Sequence, residues 1–185
     1  GSRRAAAHAA LVRGETELLS GHLVEAEATL RAAADLHRGT RTNSGESMSL
    51  ERLAEVSTAR GQRWKARRLL ENALRLARGD PLGSHLLVKI HGAMVEAAAD
   101  PTEAAAVALE GERVLADSDV CQQCSMSFRM AAARAFTAVG DLSNARRHLD
   151  EAARVSAMWQ GGPWPSAVRD AQADLETAAA RRAEG

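Results

Sequence analysis

The sequence predicts an all-α protein, and three observations carry that expectation. Forty of its 185 residues are alanine, against five aromatics, Trp64, Phe128, Phe136, Trp159 and Trp164. Alanine is the strongest helix former and lets helix axes approach closely. Only four prolines interrupt the chain, and Val, Ile and Thr runs of the kind that build strands are missing. The chain also repeats itself about every forty residues, and at 45% hydrophobic content it can bury a core as one domain or one continuous array.

The repeat lies in four segments beginning at Gly21, Gly61, Ala99 and Gly140. Five residues on stand Ala26, Ala66, Ala104 and Ala145, at spacings of 40, 38 and 41. Leu30, Leu70, Ala108 and Leu149 follow, then Ala33, Ala73, Gly111 and Ala152. Seven residues before each start are Gly14, Ala54, Gly92 and Ala133. Small residues at these places suit two antiparallel helices crossing closely, so each segment predicts a helix-turn-helix unit.

First helices are expected over 5–20, 46–60, 84–98 and 119–139, and second helices from near 22, 62, 101 and 141. Gly21, Gly61 and Gly140 suit the left-handed position that ends a helix, and Asp100-Pro101 reads as an N-cap followed by proline at the first helical position. Leu36 to Ser47, "LHRGTRTNSGES", reads as a mobile loop between the first two units and a further candidate contact. A Gly-Gly-Pro break precedes a last helix over 165–182, whose Val168, Ala171, Leu175 and Ala178 share a face that would close the array. Trp159 and Trp164 flank the break and are expected to pin it, with an exposed aromatic contact as the alternative.

A small residue, glycine seven later, alanine twelve later, leucine sixteen later and alanine nineteen later resembles the tetratricopeptide repeat (TPR) pattern, most clearly in "GDLSNARRHLDEAA" from Gly140. The resemblance covers nearly the whole chain. It departs from the family in period, 38 to 41 here against about 34, and in lacking the proline that ends the second helix. Longer repeats of this kind are similar to the sensor arrays of large signal-transduction ATPases and transcriptional regulators. The resemblance implies a right-handed superhelical solenoid of four TPR-like hairpins plus a C-terminal capping helix, one domain over 3–185 with repeats at about 5–38, 46–79, 84–117 and 119–158.

It also implies a groove lined by the first helices that receives a protein or peptide segment, including another domain of the same parent protein. Carried over position by position, that groove takes Leu11 and Glu15, then Glu51, Glu55 and Thr58, then Lys89, Ala93 and Glu96, then Met130, Arg134 and Thr137. The groove then holds four glutamates, and three of them, Glu15, Glu51 and Glu55, favour a basic segment at the first two units. The lysine and asparagine set with which chaperone-binding members clamp a C-terminal carboxylate is not reproduced. A small-molecule effector site in the groove and a scaffold whose working surface lies elsewhere stay open.

The only cysteines, Cys121 and Cys124, stand three residues apart. Asp119 with Gln122 reads as an N-cap and capping box that would set both sulfurs in the first turns of a helix, where the dipole favours a thiolate. No strand or βαβ unit precedes the pair, which excludes a thioredoxin-like motif. As a zinc site it lacks a second half, although His85, at the start of the third unit's first helix, should lie toward the same edge as Cys124. Reduced cysteines without chemistry, a reversible thiol switch and a metal site are the three readings.

No phosphate loop, GxSxG or paired-metal motif is present, so the chain reads as no enzyme and calls for no cofactor. Twenty-four basic residues balance 24 acidic ones, which argues against a bulk field for nucleic acid or an anionic membrane. The charge is nonetheless uneven. Arg60, Arg63, Lys65, Arg67, Arg68, Arg75 and Arg78 face Glu71 alone within 60–78, and Glu96, Asp100, Glu103, Glu110, Glu112, Asp117 and Asp119 face Arg113 alone within 96–119. Attraction between neighbouring units and solvation of outer faces account for this; direct nucleic-acid contact lacks a reading motif. Without a membrane span or secretory core, the expected location is the cytoplasm. Gly1-Ser2 reads as a tag remnant, so that the chain would be an interaction or sensor module of a larger transcriptional or signalling protein.

Overall fold

The structure is a computed structural model and describes residues 2–116, 120–158 and 162–184. Among these residues nine helices follow one another without a strand: α1 (Arg3–Leu19), α2 (Leu23–Gly39), α3 (Asn43–Ala59), α4 (Arg63–Ala77), α5 (Gly83–Glu96), α6 (Pro101–Ala116), α7 (Gln122–Ala138), α8 (Leu142–Ser156) and α9 (Trp164–Glu184). Helices α1 to α8 pair as four hairpins, and α9 packs on α7 and α8. The long period has a simple origin. Helices α1, α2 and α3 are each 17 residues long and are separated by three-residue turns, so two helices and two turns make up the forty-residue repeat.

The recurring positions are where the helices meet. Ala26, Ala66, Ala104 and Ala145, Leu30, Leu70, Ala108 and Leu149, and the small residues from Gly14 to Ala152 in the same register are all buried. Each buried leucine contributes about 1.5–3 kcal/mol by leaving water, and the small partners let its neighbours close on it. The turns after α1, α3 and α7 put Gly21, Gly61 and Gly140 at φ of 78°, 71° and 77°, with the glycine amide bonded back three residues in each. A side chain there would be strained.

Helix α5 joins two cores. Its Leu86, Ile90 and Ala93, with Ala97 just after its end, pack with α1 to α4, while Val88 and Val95 pack with α6 to α9 around Phe128 and Phe136. His148 is fully buried in that second core, edge-on to Phe128 and stacked on Phe136 with ring centroids 5.7 Å away in both cases. In α9, Val168, Ala171 and Leu175 face inward. Trp159 lies outside the described residues.

The expected loop over Leu36–Ser47 is corrected: α2 runs to Gly39 and α3 begins at Asn43. Two of the polar residues that suggested a loop instead bond helix carbonyls. The Thr40 hydroxyl donates to the Leu36 carbonyl at 3.1 Å, and the Ser47 hydroxyl reaches across to the Ala73 carbonyl of α4 at 3.0 Å. Gly45 leaves the space that the His37 ring occupies, and the compressed turn puts Arg41 at φ 52°.

The odd- and even-numbered helices behave differently. Consecutive odd helices pack directly, from α1 on α3 to α7 on α9, whereas among the described residues no even helix packs on another even helix. Long side chains cross those gaps: Lys65 of α4 bonds Glu27 of α2 at 2.7 Å, Arg67 of α4 pairs with Glu103 of α6, and Arg147 of α8 pairs with Glu112 of α6 at 2.7 Å. Part of the basic second unit and acidic third unit is thereby used up between neighbours; Asp117 and Asp119 lie outside the described residues.

Candidate functional site

A groove with a cavity of about 200 Å³ opens on the odd-numbered helices. Glu55 of α3, Gly92, Ala93 and Glu96 of α5, Ser127, Met130 and Arg134 of α7, and Trp164 of α9 line it. Four helices of different units therefore contribute to one recess. Arg134 and Glu96 pair across it, while Trp164, half-buried at the start of α9, supplies the aromatic wall. Met130 is buried to 1% exposure and forms part of the lining as a core residue.

The other expected groove positions are placed as follows. Leu11 belongs to the first core at 1% exposure and offers no recognition surface. Thr58 and Thr137 are half-buried, and the Thr137 hydroxyl is committed to the Ala133 carbonyl at 2.9 Å. Glu51 is buried at 3% exposure. Glu15, Glu51 and Glu55 converge on Arg52, whose guanidinium donates to Glu15 at 2.7 Å and to both oxygens of Glu55 at 2.7 and 2.8 Å, and stands 3.4 Å from Glu51. Burial pushes the Glu51 carboxyl up to about 7, with Arg52 pulling the other way. Burial also works against the charge of Arg52, but Glu51, Glu55 and Glu15 together hold it above the ordinary arginine range.

The acidic character expected of the first two units is therefore largely compensated from within. Arg52 was the missing residue. Its signals were local and repeat-wide: it stands three residues before Glu55 on a helix and 37 after Glu15, close to one repeat.

At one end of α5 and α7 lies a second cluster. Helix α7 begins at Gln122, and Cys121 is its N-cap, its sulfur accepting the Cys124 amide at 3.3 Å. Asp119, the expected cap, lies outside the described residues. The two sulfurs are 2.7 Å apart, both cysteines are free, and a ring nitrogen of His85 together with the two sulfurs forms a set within 4.8 Å of one another. Burial first, then the hydrogen bond from Cys121, pushes the Cys124 thiol up to about 11. Such a group is largely protonated at neutral pH and a poor nucleophile on its own.

No family profile matches the chain, and no curated protein does. Solved structures do. A crystal structure of a single-substitution variant of a Podosopora anserina protein, described as a kinesin light chain with nearly identical TPR-like repeats, superposes at a TM-score of 0.65 and 18% identity, covering 100% of this chain and 91% of that one. A second crystal structure of that protein gives 0.64 and 19%, covering 98% and 90%. At this identity the likeness is one of fold: the chain is a TPR-like helical repeat array.

Proposed function

We propose that the chain is a protein- or peptide-binding module whose recognition surface is the groove between α3, α5, α7 and α9. The observation that carries this is the recess itself, lined from four helices and combining the apolar Ala93 and Met130, an indole wall and the Glu96–Arg134 pair. TPR-like scaffolds serve as interaction modules as a rule, which supports binding over catalysis. The cavity is smaller than the ~300–1,000 Å³ of typical small-molecule sites, which favours a side chain or two of a longer segment over a free effector. Because Arg52 offsets the glutamates of α3, the contribution of charge is centred on Glu96 and Arg134. No described helix is long and apolar enough to cross a membrane, and the long-period repeats resemble regulator sensor arrays; a place in the cytoplasm within a larger regulatory protein fits both.

A random-peptide display library selected on the wild-type chain tests the reading. Enriched peptides should lose at least about tenfold in affinity, about 1.4 kcal/mol, with Trp164→Ala and with Glu96→Lys, while circular dichroism stays unchanged. Peptides that bind these variants as well as the wild type would place recognition elsewhere.

A further inference from the structure

We propose that His85, Cys121 and Cys124 form a site for a soft cation of the zinc class, bridging the N-terminal ends of α5 and α7. The donor atoms are already gathered, all within 4.8 Å of one another, although they come from two units of the array. Tetrahedral zinc, with bonds of ~2.3 Å to sulfur and ~2.0–2.1 Å to nitrogen, sets its ligand atoms about 3.5–3.8 Å apart. The two sulfurs at 2.7 Å then part by about 1 Å, which the exposed Cys121 at the helix cap can accommodate by turning.

An independent observation points the same way. The His85 Nδ1 atom is buried without a hydrogen-bond partner, a costly state for a ring nitrogen unless something occupies it. A disulfide between the cysteines would leave that nitrogen as it is; a cation coordinated through Nδ1 satisfies it. Two thiolates and an imidazole are a donor set for zinc or Cu(I), not for calcium or magnesium, which take oxygen ligands. The positive end of the α7 dipole favours the thiolate charge. On binding, two S–H bonds give way to two sulfur–metal bonds and two protons pass to the buffer. Three protein ligands leave a fourth position for water or for a donor from a partner.

The test uses the full chain, reduced and freed of metal, titrated anaerobically with Co2+ and then Zn2+. One Co2+ per chain with a thiolate-to-cobalt charge-transfer band, displaced by Zn2+, is expected. So are protection of both thiols from alkylation by zinc and a raised Tm. Cys121→Ser and Cys124→Ser should abolish the band, and His85→Gln should weaken Co2+ at least about tenfold with unchanged circular dichroism. Absence of the band overturns the site. A band indifferent to His85→Gln overturns it as well, and so does a cysteine pair that closes to a disulfide equally fast with and without zinc.

Discussion

Gly92 of α5 meets the backbone of Phe128 on α7 so closely that a Cβ on the glycine would stand 3.0 Å from both the Cα and the nitrogen of that residue. Backbone, unlike a side-chain tip, cannot turn aside. Gly92→Ala should therefore force α5 and α7 apart and cost about 1–3 kcal/mol, read as a lower Tm. Gly39→Ala, at the end of α2 with nothing within 4 Å of the added atom, is the control and should be neutral or gain up to about 1 kcal/mol.

Arg52 is the cation that pairs with three carboxylates, with its side chain 18% exposed; Lys89 also acts on Glu51, more weakly. Arg52→Met should cost about 3–5 kcal/mol at pH 8, since it strands charges that the fold has already taken from water. The deficit relative to wild type should shrink at pH 5, where Glu51 takes up a proton. Urea unfolding of both proteins at the two pH values measures it, and a deficit independent of pH would count against a charge origin.

Glu51 gives the complementary case. Its folded value, about 7, lies above the ordinary 4.5, so the folded state holds its proton more tightly than the unfolded chain. The stability this contributes is complete below about pH 4.5 and is lost as pH rises through about 7. Glu51→Gln, which cannot ionise, should match the wild type near pH 5 and exceed it at pH 8. A variant that is equally destabilised at both pH values would show that the carboxylate form is needed for packing.

His37 and His148 act in the opposite sense. Burial lowers both, against the hydrogen bond between His148 and Glu112 at 2.7 Å in the second case. The stability tied to their neutral forms is present above about pH 6.5 and is lost as pH falls below it. Neither ring nitrogen of His37 has a partner, so His37→Leu should be neutral or stabilising at pH 7 and should flatten the acid side of the stability curve. Unfolding midpoints between pH 5 and 8 would reveal it; an unchanged acid slope would exonerate His37.

The repeat was legible because its determinants are local and recur. A small residue in the same register marks each crossing whatever the rest of the chain does, as Ala26, Ala66, Ala104 and Ala145 show. The Leu36–Ser47 stretch misled because serine and threonine favour turns, yet their hydroxyls close equally well on helix carbonyls, Thr40 on that of Leu36 one turn back and Ser47 on that of Ala73 in α4. Positions carried from the family located Glu55, Ala93, Glu96, Met130 and Arg134 in one recess. They could not reveal which were already spoken for: the compensation of Glu55 by Arg52 and the burial of Leu11 depend on how neighbouring units sit together. Likewise the entry of Trp164 into the groove depends on where α9 docks, which no single repeat encodes.

The even-numbered helices stand off from one another while Lys65 to Glu27, Arg67 to Glu103 and Arg147 to Glu112 span the spaces between them. Surface pairs of this kind add little to folding free energy, but they are the tie-rods of the even side, whereas the odd helices are also held by direct packing. Raising the electrolyte concentration loosens exposed pairs on both sides, Arg134 to Glu96 among the odd helices included. The odd helices still touch one another directly while the described even helices do not, so the coil should flex like a spring whose stiffness on the even side is set by salt.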